Sequence, residues 1–165
     1  MSNISYSNLT VVGMHQDDAE AVSKLFNQIV QALPYYNTTA KESEIKKYSA
    51  ELLRSSVQHE PESILIARRN GELAGFCFSE NDDGLMWLAW FAVHPSFRKQ
   101  GIGLALLARL EETARQNKFH KIWCDCRTEN QASRVVLTKQ GYVELCTVRN
   151  HWYGQDFILW EKLVA

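Results

Sequence analysis

Apolar and polar residues follow two alternating rhythms along this chain, and the switches between them mark its elements. Tyr6 to Met14 alternates like a strand. HQDD then opens a helix, with Asp17 or Asp18 as its cap and Asp17, Asp18 and Glu20 near the positive end of the helix dipole. Ala21, Leu25, Ile29 and Ala32 form the apolar stripe of this helix, and Pro34 ends it. After a YYNTT loop, KESEIKKYSAELLRSSVQ reads as one second helix, with Ile45, Tyr48, Leu52 and Leu53 on or near one side. Ile64 to Arg69, Leu73 to Ser79 and Leu85 to Val93 read as three strands. Asn70-Gly71 supplies a hairpin turn, and NDDG a second turn holding Asp82 and Asp83, with Glu80 beside them. The third strand, LMWLAWFAV, is apolar on both faces. Such a strand is central and covered on both sides, so helices are expected on both faces of the sheet.

Beyond it, Ile102, Leu106, Leu110 and Ala114 recur at four-residue spacing, widened by Ala105 and Leu107 into a sheet-packing helix. HKIWCDC is a strand, Asn130 to Gln140 a short helix closed by Gly141, and YVELCTVR and FILWEKLV are two last strands around NHWYGQD. The expected order is strand, two helices, three strands, helix, strand, helix, two strands. No repeat, linker or low-complexity segment interrupts it, so 1–165 is expected to be a single domain.

Composition narrows the function classes. The formal net charge is -1, which gives no global attraction to nucleic acid or an anionic membrane. The longest apolar run is too short to span a bilayer, and the N-terminal residues lack the basic-then-apolar layout of a secretory signal. Cys77, Cys124, Cys126 and Cys146 all fall in strand-like segments, as free buried thiols of a cytoplasmic protein would. Cys124 and Cys126 share one sheet face, and no further ligands at suitable spacing accompany them, so no metal site is expected.

The chemistry concentrates at RKQGIG, residues 98 to 103. Each glycine at a helix start costs about 1 kcal/mol relative to alanine, so two of them suggest a need of the backbone. Small residues let main-chain N–H groups face a bulky anion at the helix N-terminus, and Arg98 and Lys99 add cations. A tight turn chosen for close helix–sheet contact is the alternative. The motif is neither a P-loop nor a dinucleotide fingerprint.

VHPSFRKQGIGLALL resembles the acyl-CoA signature of the GNAT superfamily of N-acyltransferases, with Arg98, Gly101 and Gly103 at the signature positions. TENQASRVVLTKQGYVE is similar to the family's second, looser segment, matched by Asn130, Gly141 and Tyr142. The resemblance implies a mixed α/β, α+β-like fold: a central, mostly antiparallel sheet with a splayed parallel strand pair and helices on both faces. It also implies acetyl-CoA as cosubstrate, with Gln100, Gly101, Ile102, Gly103, Leu104 and Ala105 around the pyrophosphate. Arg98 and Lys99 would stand beside it, and Phe91, Ala92 and Val93 along the pantetheine arm. Asn130 would touch that arm or order its loop; simple N-capping is the plainer role.

Direct transfer to an amine needs a base for the amine proton, a donor at the thioester oxygen and an acid for the departing thiolate. Similar proteins often carry the acid as a tyrosine seven residues after the asparagine, which here is Leu137. Tyr153 is the first replacement, with Tyr142, Cys126 and water behind it. Asp125 and Glu80 are the foremost bases, with Asp82, Asp83 and His151 as further options, and His94 in the V-H-P loop reads as structural. Asp125 could instead simply pair with Arg127. The acceptor, a primary amine on a small molecule or peptide, would meet Tyr35, Tyr36, His151 and Trp152. The final strands and their aromatics suggest a homodimer. A weakly active acyl-CoA binding module is the alternative that Leu137 motivates.

Overall fold

The computed structural model describes residues 8–164. Tyr6, the expected start of the first strand, lies outside them. Seven strands, β1 (Leu9–Gly13), β2 (Ile64–Arg69), β3 (Glu72–Asp82), β4 (Leu85–Val93), β5 (Lys121–Arg127), β6 (Val143–Val148) and β7 (Phe157–Leu163), form one sheet ordered β1-β2-β3-β4-β5-β7-β6. All neighbours are antiparallel except β4 and β5. Helices α1 (Ala19–Ala32), α2 (Thr38–Lys47) and α3 (Ala50–His59) precede β2. Helix α4 (Ile102–Gln116) joins β4 to β5, and α5 (Gln131–Lys139) follows β5.

Two apolar clusters, one on each face, bear out the double cover expected from LMWLAWFAV. On one face Ile102, Leu106, Leu107 and Leu110 of α4 and Leu137 of α5 pack on Leu65, Cys77, Leu88, Ile122 and Cys124. On the other, Val22, Phe26, Ile29 and Val30 of α1 and Leu53 and Val57 of α3 pack on Ile64, Ile66, Phe76 and Phe78.

Several local expectations are corrected. The apolar stripe of α1 runs through Ala19, Val22, Leu25, Phe26, Ile29 and Val30, whereas Ala21 and Ala32 are exposed. His15 caps the short turn before α1 by accepting from the Asp17 N–H, and Asp18 closes the capping box by accepting from the His15 N–H at 3.2 Å while its other oxygen accepts from Arg68 at 2.5 Å. The expected single second helix is two. The chain breaks at Tyr48, whose ring fills the core against Phe26 and Phe78, and Ser49 caps a fresh start at Leu52 N. Leu52 is left exposed. Strand β3 runs on to Asp82, so Glu80 and Asp82 are strand residues rather than turn residues. Cys146 is exposed; the other three cysteines are buried.

One close approach seats α4 on the sheet. A Cβ on Gly75 of β3 would lie 2.7 Å from the Ala92 carbonyl oxygen and 3.2–3.3 Å from Leu106 and Ile102. The oxygen belongs to rigid backbone, so even one methyl forces β4 or α4 to move. Gly75→Ala is therefore expected to cost roughly 1–3 kcal/mol, the usual range for overpacking. Urea unfolding would read this as a lower midpoint at unchanged slope, and an unchanged midpoint would refute it.

Candidate active site

The RKQGIG segment links β4 to α4 through a single turn at Pro95–Phe97, where the His94 ring accepts from the Ser96 N–H at 3.1 Å. That makes His94 a structural cap. Lys99 at φ 60° and Gly101 at φ 78° are left-handed, and Gly101 stands immediately before α4. Such alternation turns successive N–H groups toward one side, the arrangement that receives anions. Among the described residues the amides of 99 to 104 find no acceptor, whereas Ala105 N–H already bonds Gly101 O at 3.0 Å. Ala105 thus leaves the expected anion-binding set. A Cβ on Gly103 would meet Val136 at 3.5 Å and Val93 at 3.8 Å, so the first turn of α4 lies close against both β4 and α5. Open amides, a helix N-terminus and two cations fit a diphosphate.

Next to this loop the sheet opens. β4 and β5 pair only at Met86–Ile122, Trp87–Trp123 and Leu88–Cys124. At that point β4 carries a bulge: Leu88 pairs with Ser79 and Trp90 with Phe78, leaving Ala89 unmatched. Beyond it Phe91, Ala92 and Val93 stay paired to β3 but have no strand on the β5 side. The resulting cleft has a cavity of about 150 Å³ bordered by Tyr36, Glu44, Trp90, Asp125, Asn130 and Tyr153, among others.

Asp125 sits on the α2 side of this cleft. Its Oδ2 accepts from the Trp152 indole N–H at 2.7 Å, and its Oδ1 has no partner among the described residues. Burial raises its pKa to about 6, although the Trp152 bond opposes the shift. Tyr153, left-handed at φ 57°, donates its hydroxyl to Glu44 Oε1 at 2.6 Å, and the other Glu44 oxygen accepts from Trp90 Nε1 at 2.8 Å. Burial and the Glu44 bond both raise the Tyr153 pKa. Tyr36 packs between Trp90 and Phe157, and burial pushes the pKa of Tyr35 up to about 12.

A sequence model of the acetyltransferase (GNAT) family matches residues 26–142. The chain belongs to the GNAT family of acetyltransferases. An acetyltransferase of Pectobacterium atrosepticum is 31% identical over 127 residues, which cover 77% of this chain and 82% of that protein. A ribosomal protein bS18-alanine N-acetyltransferase of Escherichia coli is 28% identical over 85 residues, 52% of this chain and 57% of that protein. In fold, the chain resembles the PaiA N-acetyltransferase of Thermoplasma acidophilum solved with coenzyme A. The TM-score is 0.78 at 21% identity, covering 94% of this chain and 98% of that one. The protein is thus an acetyltransferase, and acetyl-CoA as cosubstrate fits it.

In this GNAT acetyltransferase the expected cofactor residues fall along the open edge of β4, the loop at 98–101 and the first turn of α4. Asn130 caps α5 by accepting from Ser133 N–H at 3.1 Å and also borders the cleft. Leu137 is fully buried under α4, and the ring of Tyr142 is core, so neither reaches the cleft. Trp152, Tyr153 and Tyr36 gather around Asp125, whereas exposed Glu80 and His151 border a neighbouring cavity that Asp125 shares. One residue, Glu44, was not singled out from the sequence, and another, Arg127, was given a different partner. Glu44 joins Tyr153 to Trp90, and nothing in its helical context signals that. Arg127 does not pair with Asp125. It is buried, and it donates to the carbonyls of Tyr35 at 3.2 Å and Asp156 at 2.6 Å and to Glu129 at 3.0 Å. Its only sequence signal is a cation ending an otherwise apolar strand.

The raised Asp125 pKa has a stability consequence. The unfolded carboxyl titrates near 3.8 and the folded one near 6. As pH rises through this window the unfolded state loses its proton first, so folding is progressively disfavoured. Asp125→Asn does not titrate and keeps an oxygen for Trp152. Its urea midpoint should match the parent's near pH 4, exceed it increasingly up to pH 6, and hold that lead above. A lead that shrinks as pH rises would contradict the assignment.

Proposed function

We propose that this acetyltransferase transfers the acetyl group of acetyl-CoA to a primary amine of a small molecule or peptide, by direct attack within a ternary complex. The observation that carries the reading is Asp125. It is a carboxylate in the cleft with one oxygen held by Trp152, the other open, and a pKa of about 6. A base of that strength is ionised at neutral pH and still able to hold a proton. The E. coli relative named for alanine N-acetylation supports an amine acceptor.

Bound acetyl-CoA supplies the acetyl thioester, whose C–S bond breaks as the C–N bond forms. The amides of 99 to 104, with Arg98 and Lys99, hold the pyrophosphate. The open edge at Phe91 to Val93 aligns the pantetheine arm, and Asn130 borders its path. Tyr36, His151 and Trp152 contact the acceptor, whereas Tyr35, expected with them, lines neither cavity. Asp125 takes the proton that the attacking amine loses. Tyr153, kept protonated by burial and by Glu44, gives one to the departing thiolate after its hydroxyl swings from Glu44. Glu80 is exposed on β3 and serves acceptor binding rather than proton transfer. Residues 1–165 act as one catalytic domain in the cytoplasm. They pair as a homodimer along the β6 edge, where Val143 and Leu145 are exposed.

The test is thiol release from acetyl-CoA by the purified protein with a panel of primary amines. Amine-dependent release is expected, with an inflection of kcat/KM near pH 6 below the limb set by the amine's own ionisation. Asp125→Asn should lower kcat by about 10²-fold or more and abolish that inflection. Acetyl-CoA binding with no release by any amine would instead make the protein a binding module. Tyr153→Phe should lower kcat by roughly 10²-fold while acetyl-CoA affinity holds, because its contribution arises only as the thiolate leaves. A higher acceptor KM at constant kcat would move Tyr153 to substrate binding.

A further inference from the structure

Beside the cleft lies a second, larger cavity of about 510 Å³, and the two share Asp125, Trp87, Trp152 and Phe157. Its lining carries three carboxylates, Glu80, Asp82 and Asp125, and three indoles, Trp87, Trp123 and Trp152, but no lysine or arginine among the described residues. The sheet register sets their order. Glu80 of β3 pairs with Trp87 of β4, which pairs with Trp123 of β5, and Asp125 stands two residues further along β5. Strand spacing and rise place the Glu80 and Asp125 Cα atoms on the order of 12 Å apart. Between them the Trp87 and Trp123 rings meet edge to face, with centroids 5.0 Å apart at 75°. Lys121, 6.0 Å from the Trp123 ring centroid, is neutralised by Glu161 at 2.6 Å. Lys47 borders the cleft rather than this cavity.

We propose that this cavity is the acceptor's second subsite, and that the preferred acceptor is an amine carrying a second cationic group a few methylenes from the nitrogen that is acetylated. The inference rests on the reading of the cleft as an amine-acetylating site. Asp125 engages the reacting nitrogen, and Glu80 and Asp82 then face the other end of the molecule. Indole faces suit both a methylene chain and a cation at its end. Acidic walls without a competing lysine or arginine raise the local concentration of such a ligand, with His151 as the further titratable group of the lining. A monoamine of the same length, with no charge at its far end, would leave both β3 carboxylates without a partner. The second cation comes either from a free diamine or from a lysine side chain next to a peptide N-terminus.

The experiment compares matched acceptors that differ by one charge: putrescine against n-butylamine, and the dipeptide amide Ser-Lys against Ser-norleucine. The dicationic member of at least one pair should show a kcat/KM at least ten-fold higher. That preference should shrink as ionic strength rises, and in a Glu80→Gln, Asp82→Asn double variant it should fall to within about two-fold. Which pair discriminates identifies the source of the cation. Calorimetry of putrescine and of Ser-Lys amide with the coenzyme A-loaded protein gives a readout independent of turnover. Dissociation constants that rise at least ten-fold in the double variant support the subsite even if no amine is acetylated, which would sink only the catalytic reading. Turnover of the monocationic members with no preference in either pair overturns the subsite and leaves the catalytic reading standing. The absence of both turnover and carboxylate-dependent binding overturns both.

Discussion

Everything in this molecule follows from the early end of one strand pairing. β4 and β5 are held together at three residue pairs and then separate, because a bulge at Ala89 shifts the phase of β4 just where the pairing stops. Unpaired strand edges inside a protein are costly, since each N–H and C=O wants a partner. Here the separation exposes a strand edge to a cleft, where an extended ligand can complete the pairing. The bulge also sends Ala89 and Trp90 to the same side, which brings the Trp90 indole to Glu44 and through it to Tyr153. A geometric irregularity of one residue thus makes the opening and furnishes one of its walls.

Such an opening needs its rim held, and buried Arg127 does that. Its guanidinium meets carbonyls of the α1–α2 loop and of the segment before β7, and the Glu129 carboxylate just before α5. Removing a cation from water is expensive unless most of its donors are satisfied. Three bonds from three separate segments meet that demand, and tie those segments to the end of β5. Gln155 reinforces the tie by donating to the Tyr35 carbonyl at 3.0 Å. The side chains around Asp125 depend on this arrangement, because Tyr36, Trp152 and Tyr153 all stand on the joined segments.

Asp125 illustrates the tension between stability and chemistry. Burial in an aromatic surround disfavours its charge, and the Trp152 bond restores only part of the loss. A carboxylate fully satisfied by cations would have been more stable and a far weaker base. The positive φ of Tyr153 is another local cost, accepted where the last loop turns to bring the ring against α2.

Periodicity and turn chemistry made most of the architecture legible. LMWLAWFAV marked the doubly covered central strand, the Ile102–Ala114 stripe marked α4, and Gly101 and Gly141 stood where left-handed backbone was required. Those signals are local, and local propensity agreed with the final fold. The split between α2 and α3 was not legible, because Tyr48 continues a helical stripe by spacing and leaves it only to fill space against Phe26 and Phe78. The active-site wall was equally hidden. Asp125 could be noticed as an acid in an apolar strand, but its partner is Trp152, 27 positions away. Glu44, the partners of Arg127 and the sharing of one cavity by Glu80 and Asp125 across three strands have no sequence period to announce them. Residue order determined which segments are strands and helices and where the glycine-bearing turn before α4 lies. Only the tertiary structure decided which side chains share a cavity, because strand register, one bulge and the clamp at Arg127 set those distances together.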